Sequence, residues 1–228
     1  MTRCLALCFA LLWLVSETRG QGAAGGFRPA EIDAMVLLPP LGAVSLIGPG
    51  NRATFDANAS ADASEMLRQA IFRHDEKLHL QGQLLLKDSA AQRTIARRAA
   101  QAFGLLAGRR KAAMAQPQPW LDSLLTARRQ RYGLVSYVAG FTRTPANRRP
   151  LIARDLGIGL LTLGAVVPVT PNAATKIGVF IYDAQAHRVV YYRVSAPAEQ
   201  DPLARFGEII DRELTNLLAK DFNLPGQF

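Results

Sequence analysis

Three histidines, two cysteines and a scatter of carboxylates are the groups in this chain able to hold a metal or move a proton. The histidines are His74, His79 and His187, and no two stand at the i, i+4 spacing that brings paired ligands onto one helical face. A metal site would have to join carboxylates to distant histidines, so no metal or cofactor is expected. His187 falls in a polar turn and reads as a solvated residue. Gly157-Ile158-Gly159-Leu160-Leu161-Thr162 begins like a dinucleotide-binding loop, but Thr162 stands where the third glycine belongs and no clear strand precedes it. No serine sits in a Gly-x-Ser-x-Gly elbow, and no Walker loop occurs. Glu208, Asp211 and Glu213 lie among Arg205, Arg212 and Lys220, a pattern of solvated ion pairs. An enzyme built on this chain would need a site assembled from scattered residues.

The basic residues form the one segment whose composition points to a ligand. The chain carries a net charge of +9, yet residues 87–154 alone hold fourteen Lys or Arg against Asp88 and Asp122, a local +12 that leaves −3 for the remainder. Within it, Arg93, Arg97, Arg98, Arg109, Arg110, Lys111, Arg128, Arg129, Arg131, Arg148 and Arg149 are candidates for anion binding. Guanidinium forks suit phosphate and carboxylate, so the ligands in view are anionic lipid head groups, lipopolysaccharide or an acidic protein. The competing reading is a solvated face of an Arg-rich protein, which attracts polyanions without specificity. No nucleic-acid recognition motif is present, and the export signal described next argues against such a partner.

Arg3 followed by the apolar run Cys4 to Val15, a polar turn at Ser16 and small residues from Gly20 make residues 1–20 a secretory signal peptide. A membrane-spanning helix needs roughly 20 apolar residues, more than this run supplies. Leu5-Ala6-Leu7-Cys8 superficially resembles a lipid-attachment sequence, but too few apolar residues precede Cys8 for an ordinary signal core. Both cysteines leave with the signal, so stability must come from a packed core without disulfides. The expected location is the periplasm or cell envelope of a bacterium, with no transmembrane helix in the mature chain.

The elements positioning these groups follow from periodicity. After a flexible tether over 21–31, a single α/β domain is expected over 32–224. Ile32 to Leu38 is a short apolar run ended by Pro39-Pro40, a buried first strand. Leu41 to Ala59 reads as a loop, with Val44 to Ile47 as a short strand within it. Ala63 to Leu78 has helical spacing, and Leu80 to Lys87 is a candidate second strand. Ser89 with Gln92 predicts a capping box ahead of a helix carrying Ile95, Ala99, Ala102, Phe103 and Leu106 on its core face. Gly108 to Pro119 breaks it, and a short helix is expected from Trp120 to Arg129. Tyr132 to Thr142 alternates as a strand with Gly140 as a bulge, and Lys176 to Tyr182 with Arg188 to Val194 forms a β-hairpin. Asp201-Pro202 is expected to open a closing helix with Leu203, Phe206, Ile210, Leu214 and Leu217 as its core stripe. Leu156 to Val169 is an apolar run read either as buried loop or strand or as a partner-facing segment.

A strand ending in Pro-Pro, a helix, the strand Tyr132-Gly133-Leu134-Val135-Ser136-Tyr137-Val138-Ala139-Gly140-Phe141, a hairpin from Tyr182-Asp183-Ala184-Gln185 to Arg188-Val189-Val190-Tyr191-Tyr192, and a closing helix resemble a group of small periplasmic domains. The group comprises the curli-secretion lipoprotein, the activator lipoproteins of penicillin-binding proteins and the amino-terminal domain of the Tol translocation protein. The resemblance covers Asp33 to Phe222 and implies an α/β sandwich: a mixed sheet of about four to five strands with helices packed on it. It also implies a partner-binding or assembly role, with an envelope protein or a second copy as partner, and no shared catalytic residues. Many members carry a lipid-bearing cysteine just after the signal, and this chain has none there.

Overall fold

The computed structural model describes residues 32–86, 88–150, 171–203 and 207–224. The expected signal peptide and tether, Lys87, the apolar run Leu156 to Val169 and the expected core residue Phe206 lie outside them. In chain order the elements are β1 (Met35–Leu37), β2 (Leu41–Gly48), β3 (Arg52–Asp56), α1 (Ala57–Phe72), β4 (Leu80–Gln83), α2 (Ser89–Gly108), α3 (Arg110–Met114), α4 (Pro119–Thr126), β5 (Tyr132–Arg143), β6 (Ala173–Asp183), β7 (Arg188–Val194) and α5 (Glu208–Phe222).

β5 is the axis of a mixed seven-stranded sheet. Its first ten residues are all buried, as a strand covered on both faces must be. Along one side β5 receives β1 and then β2, both parallel, and along the other it pairs with antiparallel β6. β1 and β2 share one side of β5 but are interrupted at Pro39-Pro40, because proline has no N–H to give the ladder. β4 lies parallel against β1, β3 antiparallel against β2, and β7 antiparallel against β6. The seven segments therefore occupy five ranks of an α/β fold with a mixed sheet, closing on the expected hairpin and helix.

Alternation along β5 divides the core in two. Leu134 and Val138 face α1 and α5, meeting Leu67, Ile71, Ile210 and Leu214. Val135, Tyr137 and Ala139 face α2, α3 and α4, meeting Phe103, Leu106, Leu121 and Leu125. Phe103 is the centre of the second core, with its ring 4.3 Å from Tyr137 and 4.8 Å from Phe180. Gly178 lies opposite Tyr137 in the β5–β6 register, and the tyrosine ring occupies the space a Cβ there would need.

Four sequence expectations change. Leu41 to Ala59 is a β2–β3 hairpin running into α1, and its Gly, Pro and Asn content belongs to the turn, where Gly50 and Asn51 take positive φ. Gly42 is also required, since a Cβ there would collide with the backbone carbonyl of Ser60 in the first turn of α1. Asp88, one residue before the expected Ser89, caps α2 by accepting from the amides of Ala90 and Ala91, and Gln92 reaches back to the Leu86 carbonyl instead of completing a box. Gly140 stays in register with no bulge; a Cβ there would stand 2.6 Å from the Ala174 carbonyl oxygen. Asp201 does not open the last helix. Its Oδ1 accepts from the Leu203 amide and its Oδ2 from Thr142 Oγ1, which ties this turn to β5, and α5 begins at Glu208 after Gly207 at φ 84°.

Candidate functional site

Two of the helices flanking the second core, α2 and α4, leave an open groove of about 400 Å³ between them. Ile95 and Arg98 of α2 form one wall; Pro119, Trp120, Ser123, Leu124 and Ala127, on and just past α4, form the other. α4 begins at a proline, whose missing N–H costs nothing in a first helical turn, and it buries Leu121 and Leu125 against the sheet. At 3.6 residues per turn that burial turns Trp120, Ser123, Leu124 and Ala127 toward the groove. The Trp120 indole N–H donates to Gln118 Oε1 at 3.1 Å. The floor is apolar, and Arg98 is the one charged side chain in the lining.

The basic candidates do not form one patch. Arg93, Arg97 and Arg98 stand exposed along α2, which contains no acidic residue, and their side chains make no hydrogen bond or ion pair among the described residues. Arg128 and Arg129 follow α4, near the same groove, with Arg128 reaching the Leu85 carbonyl at 3.5 Å. Arg109, just before α3, and Lys111, within it, are exposed. Arg110 is turned inward, stacked 5.6 Å over the Tyr192 ring and donating to the Tyr192 carbonyl at 3.1 Å. Burial, and then the neighbouring Arg193, lower its pKa from the usual guanidinium value. Arg131 is committed to Asp183 through a forked pair and stacks on Tyr132. Arg148 and Arg149 lie exposed in the helical stretch 145–150, just past the far end of β5 from Arg131.

The polar groups that do converge sit at the opposite edge of α4. Tyr182 Oη donates to Asp122 Oδ1 at 2.9 Å and accepts from the Gln118 amide at 3.0 Å. Burial, then the Asp122 contacts, raise its pKa well above the ordinary tyrosine value despite the opposing Gln118 amide. His187, at φ 52° in the β6–β7 turn, places Nδ1 3.0 Å from the same Asp122 oxygen. The sequence reading of His187 as simply solvated misses this contact, and no local signal could reveal it, since the two residues are 65 positions apart. The cluster fastens the hairpin turn to α4. Ser136 is fully buried in the first core with its hydroxyl unpartnered among the described residues, closed to any substrate. His74 meets Thr215 Oγ1 at 3.1 Å between α1 and α5, and His79 takes a positive φ before β4. No group of three potential metal ligands forms among the described residues.

No protein-family model and no curated protein matches this chain. Among solved structures, a PelC dodecamer from Paraburkholderia phytofirmans is similar over 91% of this chain and 96% of that chain, with 10% identity and a TM-score of 0.35. The C-terminal domain of LpoB from Salmonella enterica is similar over 84% of this chain and 94% of that chain, with 10% identity and a TM-score of 0.30. Likenesses this distant carry no functional weight. No helix among the described residues is long and apolar enough to cross a membrane.

Proposed function

We propose that this is an exported protein of a bacterial envelope whose α/β domain binds a protein partner within an assembly and catalyses no reaction. The observation that carries the reading is the α2–α4 groove: open, apolar, walled on one side by Trp120 and lined by Arg98, whose side chain has no partner among the described residues. A catalytic site gathers titratable groups with shifted pKa values in an enclosed pocket. Here the shifted side chains, among them Arg131, Asp183 and Arg193 in ion pairs and Tyr182 against Asp122, lie outside the groove lining. An apolar trough with a cationic rim suits a partner segment whose apolar side chains fill it and whose carboxylates meet the rim.

The test is a photo-crosslinking side chain in place of Ser123, used in intact cells of the source organism. A reproducible stoichiometric adduct that disappears in an Arg98→Glu background supports the reading. Recovery of uncoupled protein from the soluble fraction refutes it and moves the weight to a small-molecule or catalytic role. A second reading is favoured by the row Arg93, Arg97 and Arg98: contact with an anionic envelope surface. It predicts sedimentation with phosphatidylglycerol vesicles that falls steeply between about 50 and 500 mM salt, because exposed charges are screened over about 10 Å at 0.1 M.

A further inference from the structure

β3 is an outer strand, and its hydrogen-bonding directions can be read from the network around β2. The Ile47 carbonyl accepts from the Thr144 amide on the β5 side, whereas the Val44 amide donates to Ser60 Oγ on the other side. Alternation therefore turns Val44, Leu46 and Gly48 toward β3. Their partners in the ladder are Asp56, Thr54 and Arg52, so those three residues face inward to β2. The amides and carbonyls of Ala53 and Phe55 face outward, away from the sheet.

The other outer strands are closed differently. In β7 the Ser195 amide bonds inward to the Ile177 carbonyl, so alternation turns the Tyr192 carbonyl outward, and Arg110 takes it. β4 has four residues and is bent at Gly82, with φ 121°. β3 has no such cover among the described residues: residues 51–55 are all exposed, and Phe55 is 52% exposed.

We propose that β3 pairs with β3 of a second copy, antiparallel about a two-fold axis at Thr54, joining two sheets into one. Three features select that occupant and register. With Ala53 opposite Phe55 of the second copy, both outward amides and both outward carbonyls of each strand are satisfied, giving four backbone hydrogen bonds. The same register sets Arg52 opposite Asp56 of the second copy, twice over. Neither charge is spent: Arg52 has no partner among the described residues, and Asp56 caps α1 with Oδ1 alone, leaving Oδ2 free. These are non-hydrogen-bonded positions, where cross-strand side chains approach most closely. A parallel pairing would set Arg52 against Arg52, and moving the axis to Ala53 or Phe55 loses both ion pairs.

The contact is small, so the dimer is weak, with a dissociation constant on the order of 100 µM. It is independent of the groove, and failure of the Ser123 crosslink leaves it standing. Sedimentation velocity from about 1 to 500 µM should show reversible dimerisation. Ala53→Pro removes an outward N–H without touching the β2 ladder, and should weaken the dimer roughly tenfold or more while the circular dichroism stays unchanged. In a Cys4→Ser, Cys8→Ser background, Thr54→Cys should oxidise readily to a disulfide-linked dimer, because the residue meets itself at the axis. Ala53→Cys and Phe55→Cys should not. A chain that stays monomeric at 500 µM overturns the proposal. So does a dimer indifferent to Ala53→Pro, one that crosslinks equally through Ala53→Cys, or an edge occupied by a foreign peptide in a monomer.

Discussion

Replacing Asp183 tests whether the β6–β7 turn is held by one buried carboxylate. Its side chain is 4% exposed and accepts four contacts: Arg131 Nε at 3.2 Å, Arg131 Nη2 at 2.9 Å, and the amides of Gln185 at 2.8 Å and Ala186 at 3.1 Å. Burial pushes its pKa up, but Arg131 and the two amides more than offset this and hold it below the usual aspartate value. Asp183→Ala strips the acceptor from two turn amides, about 1 kcal/mol each. Arg131 is 52% exposed and rehydrates, so its share is about 0.5 kcal/mol. The expected loss is about 2–3 kcal/mol in urea unfolding. Asp183→Asn keeps an acceptor for the turn and loses chiefly the charge, about 1 kcal/mol. Because the folded pKa is depressed, the carboxylate's contribution is complete above the unfolded value near 4 and fades as pH falls through the folded one. The gap between the parent and Asp183→Asn should therefore be level from about pH 8 to 5 and narrow below about pH 4. An alanine variant within about 0.5 kcal/mol of the parent, or an asparagine gap that persists undiminished under acid, refutes the reasoning.

Two further substitutions probe the second core. Phe103→Ala removes the ring packed against Tyr137 and Phe180 and should cost about 3–5 kcal/mol by denaturant titration; a loss under about 1 would mean that α2 does not pack as described. Gly178→Ala forces the Tyr137 ring off its seat on β6 and should cost about 1–3 kcal/mol, with a changed near-ultraviolet tyrosine signal, whereas a neutral result would show that the ring can move aside.

The closing hairpin, β5 and the apolar faces of α1 and α2 are legible in the chain because their signals are local. Alternation and 3.6-residue spacing depend only on neighbours along the sequence. Of the β2–β3 hairpin only the short strand Val44 to Ile47 is legible; the glycines, proline and asparagine around it look like a loop until β5 supplies a partner for β2. Asp88 outranks Ser89 as the α2 cap for a similar reason: the two candidates are adjacent, and only the path of the chain decides which stays outside the helix.

The basic segment shows the division most clearly. Composition alone locates the arginines, but whether an arginine is offered to a ligand depends on what folding brings against it. Folding turns Arg110 onto Tyr192 and Arg131 onto Asp183, leaves Arg93, Arg97 and Arg98 without a partner among the described residues, and sends Arg148 and Arg149 to the far end of β5. The groove beside Trp120 and the outward amides of Ala53 and Phe55 belong wholly to the tertiary structure. Each is defined by the relative placement of elements, two helices that leave a gap and a strand whose outer neighbour is missing, and no periodicity within a single element encodes that.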